Sequence, residues 1–289
     1  CPTDLHDVLG KCTPQKTLFI ITSKTFTTAE TMANAAIAKN WLDRNGVDAG
    51  KAMVAVTAAG PRAREWGIDP QHIFTFAEGV GGRYSLWSPV GLAAMIAIGR
   101  DDFASLLAGG YAMDCHVQQA ELQANIGVIM GLLRVWHRSY LHRPAYGLIP
   151  YDQRLAQLPA WAQQLEMESN GKAVDRQGHG LQRPAGPLLW GAPGTNAQHS
   201  FFQWLHQSLD VIPIDFLVAM QPAAGLDQAA SWDSHKALAI NAVAQAEALA
   251  LGAANSDEPH RHFPGNRPSV LISWDKTTPY ALGRLLALY

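Results

Sequence analysis

Leu18-Phe19-Ile20-Ile21-Thr22-Ser23-Lys24-Thr25-Phe26-Thr27-Thr28 is the stretch from which the rest of the chain can be read. Its first five residues are rich in β-branched and aromatic side chains and short enough for a buried strand. Beyond the turn, Ala33, Ile37 and Trp41 recur every four residues and Gly46 stops the pattern, which predicts a helix. Thr27 and Glu30 stand in the spacing of a capping box at its start. A strand, a hydroxyl-rich turn and a helix N-terminus make a ready anion site, because unpaired N–H groups and the positive end of the macrodipole point at it. The hydroxyls of Ser23, Thr25, Thr27 and Thr28 with the Lys24 ammonium suit a phosphate better than a carboxylate. An ordinary helix cap in an α/β protein has the same spacing.

The same alternation continues outward. Met53–Thr57 and His72–Phe76 are further strand candidates, and strands separated by helical or loop crossovers imply a parallel sheet with helices on its faces. Ligands of such sheets gather at the carboxyl ends of the strands, where the Ser23–Thr28 turn lies. The third strand runs into Gly79-Val80-Gly81-Gly82-Arg83, in which glycines allow close backbone approach and Arg83 supplies a permanent cation. A plain turn with a surface arginine would read identically. From Glu121 to Tyr140, apolar residues step by three and four, which predicts a helix with a core role. A second helix is expected over Arg154–Glu168, closed by Asn170-Gly171, and residues 171–187 read as a surface loop. Strands at Tyr146–Pro150, Leu188–Trp190, Val211–Val218 and Val270–Ser273, with helices at Phe201–Ser208 and Trp232–Leu251, complete a second alternation. Two domains follow, residues 1–98 and 99–289.

The totals bound the function. With 289 residues, 48% apolar and 16% charged, the chain has the composition of a globular protein with length enough for a core. A net charge of −2 and scattered basic residues argue against nucleic acid as a partner. The apolar runs are too short to span a bilayer, and the first residues lack a signal-peptide pattern. The 3 cysteines, Cys1, Cys12 and Cys115, make an odd count without C-x-x-C spacing, which favours free thiols in a reducing compartment. No H-x-x-x-H pair of the kind that holds a metal on a helix occurs. A cytoplasmic location follows. The first strand arrives almost at once and the chain stops inside an apolar helical pattern, so it reads as a central fragment with both domains incomplete at the chain ends.

Five clusters, taken in order, go further: Ser23–Thr28, then Val80-Gly81-Gly82-Arg83-Tyr84-Ser85-Leu86-Trp87-Ser88, then Met167-Glu168-Ser169-Asn170-Gly171-Lys172, then Gly194-Thr195-Asn196-Ala197-Gln198-His199-Ser200, then Gly265-Asn266-Arg267-Pro268. Together they resemble the glucose-6-phosphate isomerase (phosphoglucose isomerase) family across essentially the whole chain. The resemblance implies an α/β fold of two sugar-isomerase (SIS) domains, each a three-layer αβα sandwich on a parallel sheet. It implies interconversion of glucose 6-phosphate and fructose 6-phosphate, by ring opening and proton transfer through a cis-enediol, with no metal or organic cofactor. On that basis Ser23, Thr25 and Thr28 hold the phosphate with Lys24 beside them, and Gln164 and Gly82 join the substrate-binding set. Arg83 stabilises the enediolate, Glu168 is the general base, and His199 is the ring-opening acid, donated across a homodimer interface. Glu166 is left as a surface residue. Two other readings stay open: a non-catalytic phosphosugar-binding SIS module, and the isomerase half of a fusion enzyme.

Some residues depart from the family pattern. Ala192 stands where a Glu is usual, Ala197 where a Gly is usual, and Pro264 interrupts the usual Phe-Glu-Gly. The resemblance also places a Gly-Ser phosphate loop before Cys1 and a lysine-bearing helix after Tyr289.

Overall fold

The strands β1 (Phe19–Thr22), β2 (Met53–Thr57) and β3 (Ile73–Thr75) lie parallel in the order β1-β2-β3. The structure, a computed structural model, describes residues 2–223 and 229–289. Its chain divides into two compact units, Cys1–Phe103 and Ala104–Tyr289. In the first, β2 is the middle strand and every one of its residues is buried, as expected of a strand with neighbours on both edges. Met53 and Ala55 join the cluster of Ile21, Ala35, Ala38 and Leu42. Val54 and Val56 alternate to the opposite face and are buried there too.

Helix α1 (Ala29–Arg44) follows the polar turn. The residues whose spacing marks it in the sequence are not those it buries. Ala35, Ala38 and Leu42 face the sheet, whereas Ile37 is 42% exposed and Ala33 is exposed as well. Small residues win that face because a helix lying on a sheet needs close approach more than bulk. Trp41 closes the edge by meeting Phe19 at 6.0 Å, edge to face. Gly46, at φ +71, turns the chain out of the helix in the left-handed region that glycine adopts without strain.

The second unit is built on β4 (Ala145–Pro150), β5 (Leu188–Trp190), β6 (Ile214–Ala219) and β7 (Ser269–Trp274), all parallel in the order β5-β4-β6-β7. Both central strands are buried along their whole length. Their side chains alternate between two cores. Ile149, Phe216 and Val218 pack with Ala197, Phe202, Leu205, Ala242 and Leu249. Leu148 and Leu217 pack on the other side with Met130, Leu158, Ala162 and Leu285. Fully burying a side chain of that size contributes roughly 1.5–3 kcal/mol relative to leaving it in water. Helices α2 (Ile126–Val135), α3 (Leu158–Gln163) and α7 (Pro279–Leu288) therefore cover one face, while α4 (Gly194–Gln198), α5 (Phe202–Gln207) and α6 (Ala229–Leu251) cover the other.

The helix expected from Glu121 to Tyr140 is shorter and less buried than its periodicity suggests. Asn125 caps it, accepting from the Val128 N–H at 3.2 Å while donating to the Val117 carbonyl at 2.8 Å. Leu122 is 71%, Leu132 64% and Trp136 53% exposed, so a core role holds for Met130 and not for the outward stripe. The helix ends in a π-helical turn, Trp136–Tyr140. Cys12 and Cys115 carry free thiols, and Cys1 lies outside the described residues. Among the described residues, no helix is long and apolar enough to cross a membrane and no group of acidic, His and Cys side chains assembles a metal site.

The carboxyl ends of β4 and β5 approach so closely that glycine is required beside them. A Cβ on Gly191 would lie 1.8 Å from the Leu148 carbonyl oxygen, and one on Gly194 would lie 2.3 Å from the Tyr151 ring. Gly191→Ala in the intact protein is expected to lower the unfolding free energy by about 1–3 kcal/mol, the usual cost of forcing a methyl into packed structure. Urea denaturation measures it, and an unchanged midpoint would contradict the close approach.

Candidate active site

The turn after β1 is organised by its backbone. The Lys24 carbonyl accepts from the Thr57 hydroxyl at 3.1 Å and from the Ala58 N–H at 3.0 Å, which ties it to the end of β2. The Arg62 guanidinium donates to the Thr25 carbonyl at 3.0 Å. Phe26 sits at φ +53, unusual for a bulky residue, and is held there because its ring is buried against Trp66 at 6.2 Å. This buried anchor turns the flanking hydroxyls together: Ser23 Oγ lies 3.0 Å from Thr28 Oγ1, and Thr25 Oγ1 lies 2.7 Å from Thr27 Oγ1. The expected capping box does not form. Thr28, not Thr27, is the N-cap, and its side chain caps nothing because its hydroxyl is turned to Ser23. The turn thus gathers hydroxyls at the N-terminus of a 16-residue helix, the arrangement that favours an anion.

Beyond β3 the chain enters a short 3-10 turn, Gly82–Trp87. Gly82 has open space where a Cβ would stand, so its missing side chain leaves the backbone approachable. Arg83 follows, with its guanidinium carbon 5.6 Å from the centre of the Tyr84 ring.

In the second unit, α3 gives way to a π-helical turn over Gln164–Glu168. Such turns, rare and energetically inferior to α-helix, recur at functional sites. Gln164 and Glu168 are both exposed, and Gln164 Nε2 donates to Glu168 Oε2 at 3.0 Å. Lys172 Nζ donates to the Glu168 carbonyl. Glu166 is not the surface residue its position suggests. Its side chain is 13% exposed, and its two oxygens accept separately, Oε2 from Arg134 Nη1 at 3.2 Å and Oε1 from Asn170 Nδ2 at 2.9 Å. Arg134 continues inward to Asp215, whose carboxylate is wholly buried on β6.

His199 stands at the C-cap of α4 and is exposed. The loop that carries it is fixed from below: Gln198 Nε2 donates to the Tyr151 hydroxyl at 2.8 Å, and burial pushes that phenol up to about 12. Ala197 is buried in ordinary helical conformation, so an alanine there costs no backbone strain. Ser23, Lys24, Thr25, Thr28, Gly82 and Arg83 belong to the first unit, and Gln164, Glu168 and His199 to the second.

Residues 1–289 match the family model for phosphoglucose isomerase. The chain belongs to the phosphoglucose isomerase family. It is similar to the glucose-6-phosphate isomerase of Chelativorans sp. (strain BNC1), with 47% identity over 99% of this chain and 55% of that protein. The glucose-6-phosphate isomerase of Brucella anthropi is 48% identical over the same shares. Among solved structures, the glucose-6-phosphate isomerase from Chlamydia trachomatis superposes with a TM-score of 0.94 at 35% identity, covering 99% of this chain and 56% of that one. A hypothetical protein from Thermus thermophilus gives 0.77 at 28% identity, covering 100% of this chain and 67% of that one. The chain spans about half the length of the curated phosphoglucose isomerase relatives it matches.

Three charged residues of the second unit escape a motif search: Arg134, Glu166 and Asp215. Two leave a signal, because Arg134 is the lone charge in Ile126–Val135 and Asp215 the lone charge in Ile214–Ala219. A single charge inside an apolar run is either exposed by geometry or buried with a partner.

Asp152, just past β4, has a testable pH signature. Burial opposes its charge, but donation from Arg154 and from the Thr277 hydroxyl at 2.9 Å holds its pKa below the ordinary carboxylate range. A depressed carboxylate stabilises the fold above its unfolded pKa, near 3.9, and loses that contribution as pH falls through the folded value. Asp152→Asn should therefore flatten the acid side of the stability profile below about pH 4. Unfolding midpoints across pH 2–6 read this out, and profiles of identical shape would refute it.

Proposed function

We propose that the protein containing this chain interconverts glucose 6-phosphate and fructose 6-phosphate. The observation that carries the proposal is the match of all 289 residues to one isomerase family, in a chain that sets the Glu168 carboxylate on an irregular helical turn. In this scheme Ser23, Thr25 and Thr28 hold the phosphate with Lys24 adjacent, at the N-terminal end of α1. The substrate backbone passes Gly82. His199 opens the sugar ring, and Glu168 then moves one proton between C1 and C2. Arg83 stabilises the enediolate that forms between the two transfers, a task suited to a permanent charge excluded from water. Gln164, donating to Glu168 Oε2, sets the orientation of the carboxylate. The scheme uses neither metal nor organic cofactor.

The site works across two subunits, with His199 entering the partner's site, and the enzyme acts in the cytoplasm. The exposed position of His199 supports that donation, and the exposed apolar residues Leu132, Val135, Trp136 and Tyr140 support a covered surface on this unit. A phosphosugar-binding module without catalysis would need the hydroxyl turn but not a carboxylate with a dedicated amide partner.

In the intact protein, Glu168→Gln should lower kcat on the order of 10³-fold with KM nearly unchanged, as removal of a general base does. Thr28→Val should instead raise KM with less effect on kcat. A coupled assay with fructose 6-phosphate measures both, and wild-type turnover in Glu168→Gln would refute the base assignment.

A further inference from the structure

Glu168 sits on a turn whose own backbone gives it little rigidity, because a π-helical turn stacks its hydrogen bonds poorly. The neighbouring side chains supply what the backbone lacks. Two residues before it, Glu166 points inward and is gripped on separate oxygens by Arg134 and Asn170. Asn170 is itself backed by Gly186, where a Cβ would lie 3.1 Å from the Asn170 carbonyl.

Arg134 is fixed in turn. Its guanidinium carbon lies 5.1 Å from the Tyr146 ring centre and 5.0 Å from that of Tyr289, so the cation is held by two aromatic rings. Its Nη2 lies 3.6 Å from Asp215 Oδ2, and both rings donate their hydroxyls to the same carboxylate, Tyr146 at 2.8 Å and Tyr289 at 2.7 Å. Burial works against the Arg134 charge, yet the Asp215 carboxylate keeps its pKa above the ordinary value. A continuous chain of charge-assisted contacts therefore runs from the central strand β6 through Arg134 and Glu166 to the turn that bears Glu168. Loop contacts lock the far side: Arg138 Nε donates to the Gly186 carbonyl at 3.1 Å and Ser139 Oγ to the Pro184 carbonyl at 3.0 Å.

We propose that Glu166, anchored by Arg134 and Asn170, is a positioning residue for Glu168, holding the π-helical turn so that the base meets the substrate carbon at a fixed distance. This rests on the reading of Glu168 as general base. The logic of the test lies in the geometry of Glu166. A carboxylate can accept from Arg134 on one oxygen and from Asn170 on the other, whereas an amide keeps only one acceptor and turns an N–H donor toward one of two donors. Glu166→Gln thus unpins one side of the turn with almost no change of volume.

In the intact protein, Glu166→Gln is expected to lower kcat by about 10- to 100-fold, the scale of ångström-level misplacement, with KM for fructose 6-phosphate within about twofold. Asn170→Ala, which removes one donor from an exposed position, should lower kcat by about three- to tenfold with the same constant KM, and it decides the matter if the first variant does not fold. Added to Glu168→Gln and assayed at high enzyme concentration, Glu166→Gln should cost less than about a further twofold, because a residue acting only through the base has nothing left to position. Wild-type kcat in both single variants, or a loss that appears equally in KM and in melting temperature, overturns the proposal. Retained turnover in Glu168→Gln alone overturns the underlying reading instead, so the two failures are distinct.

Discussion

A carboxylate with no exposure to water, Asp215 on β6, sets the terms for the second unit. Burial alone pushes its pKa up, and an uncompensated charge there would cost several kcal/mol. The fold meets that demand with Arg134, from the end of α2, and with two phenols, Tyr146 from β4 and Tyr289 from the end of α7. Those requirements fix the approach of elements that sequence separates widely. Once Arg134 is committed to the interior, its Nη1 pairs at the surface end with Glu166, which carries order outward to the irregular turn of Gln164–Glu168. A buried ion pair of this kind is weak evidence for stability, because the cost of desolvating both charges can exceed their attraction.

The first unit solves a different problem by a different means. Its polar turn carries a single charged side chain, Lys24, and needs a shape rather than compensation. Phe26 accepts a left-handed backbone because its buried ring returns more than the strain costs, and the Lys24 carbonyl is tied to Thr57 and Ala58. The hydroxyls then turn toward one another at the head of α1, and the capping box that Thr27 and Glu30 suggest is sacrificed to that geometry. Local signals of helix capping yield here to a tertiary anchor.

Much of the architecture is legible in the sequence. The apolar runs at Phe19–Thr22, Met53–Thr57 and Ile214–Ala219 are strands, and the parallel sheets follow from their alternation with helices. Faces were less legible than elements. The stripe Ala33, Ile37, Trp41 marks α1 as helical but does not name its buried side, which belongs to Ala35, Ala38 and Leu42. Likewise Ile129 and Trp136 have core-like spacing on α2 and its continuation and yet stand exposed. Period reports that a face exists; what covers it depends on surfaces the period does not encode.

Spacing was sufficient for the fold class, which depends on short-range periodicity, while the family was reached through the resemblance carried by five motifs in order. Local chemistry marked Ser23–Thr28 and Arg83 as candidates, and the resemblance added Glu168 and His199. The pairing of Glu166 with Arg134 and of Arg134 with Asp215 joins positions 32 and 81 residues apart, as subtraction of their numbers gives. No local pattern encodes such a meeting. It arises from the cost of leaving a charge unpaired in a low-dielectric interior, and only the assembled sheet and helices determine which partners are near enough to relieve it.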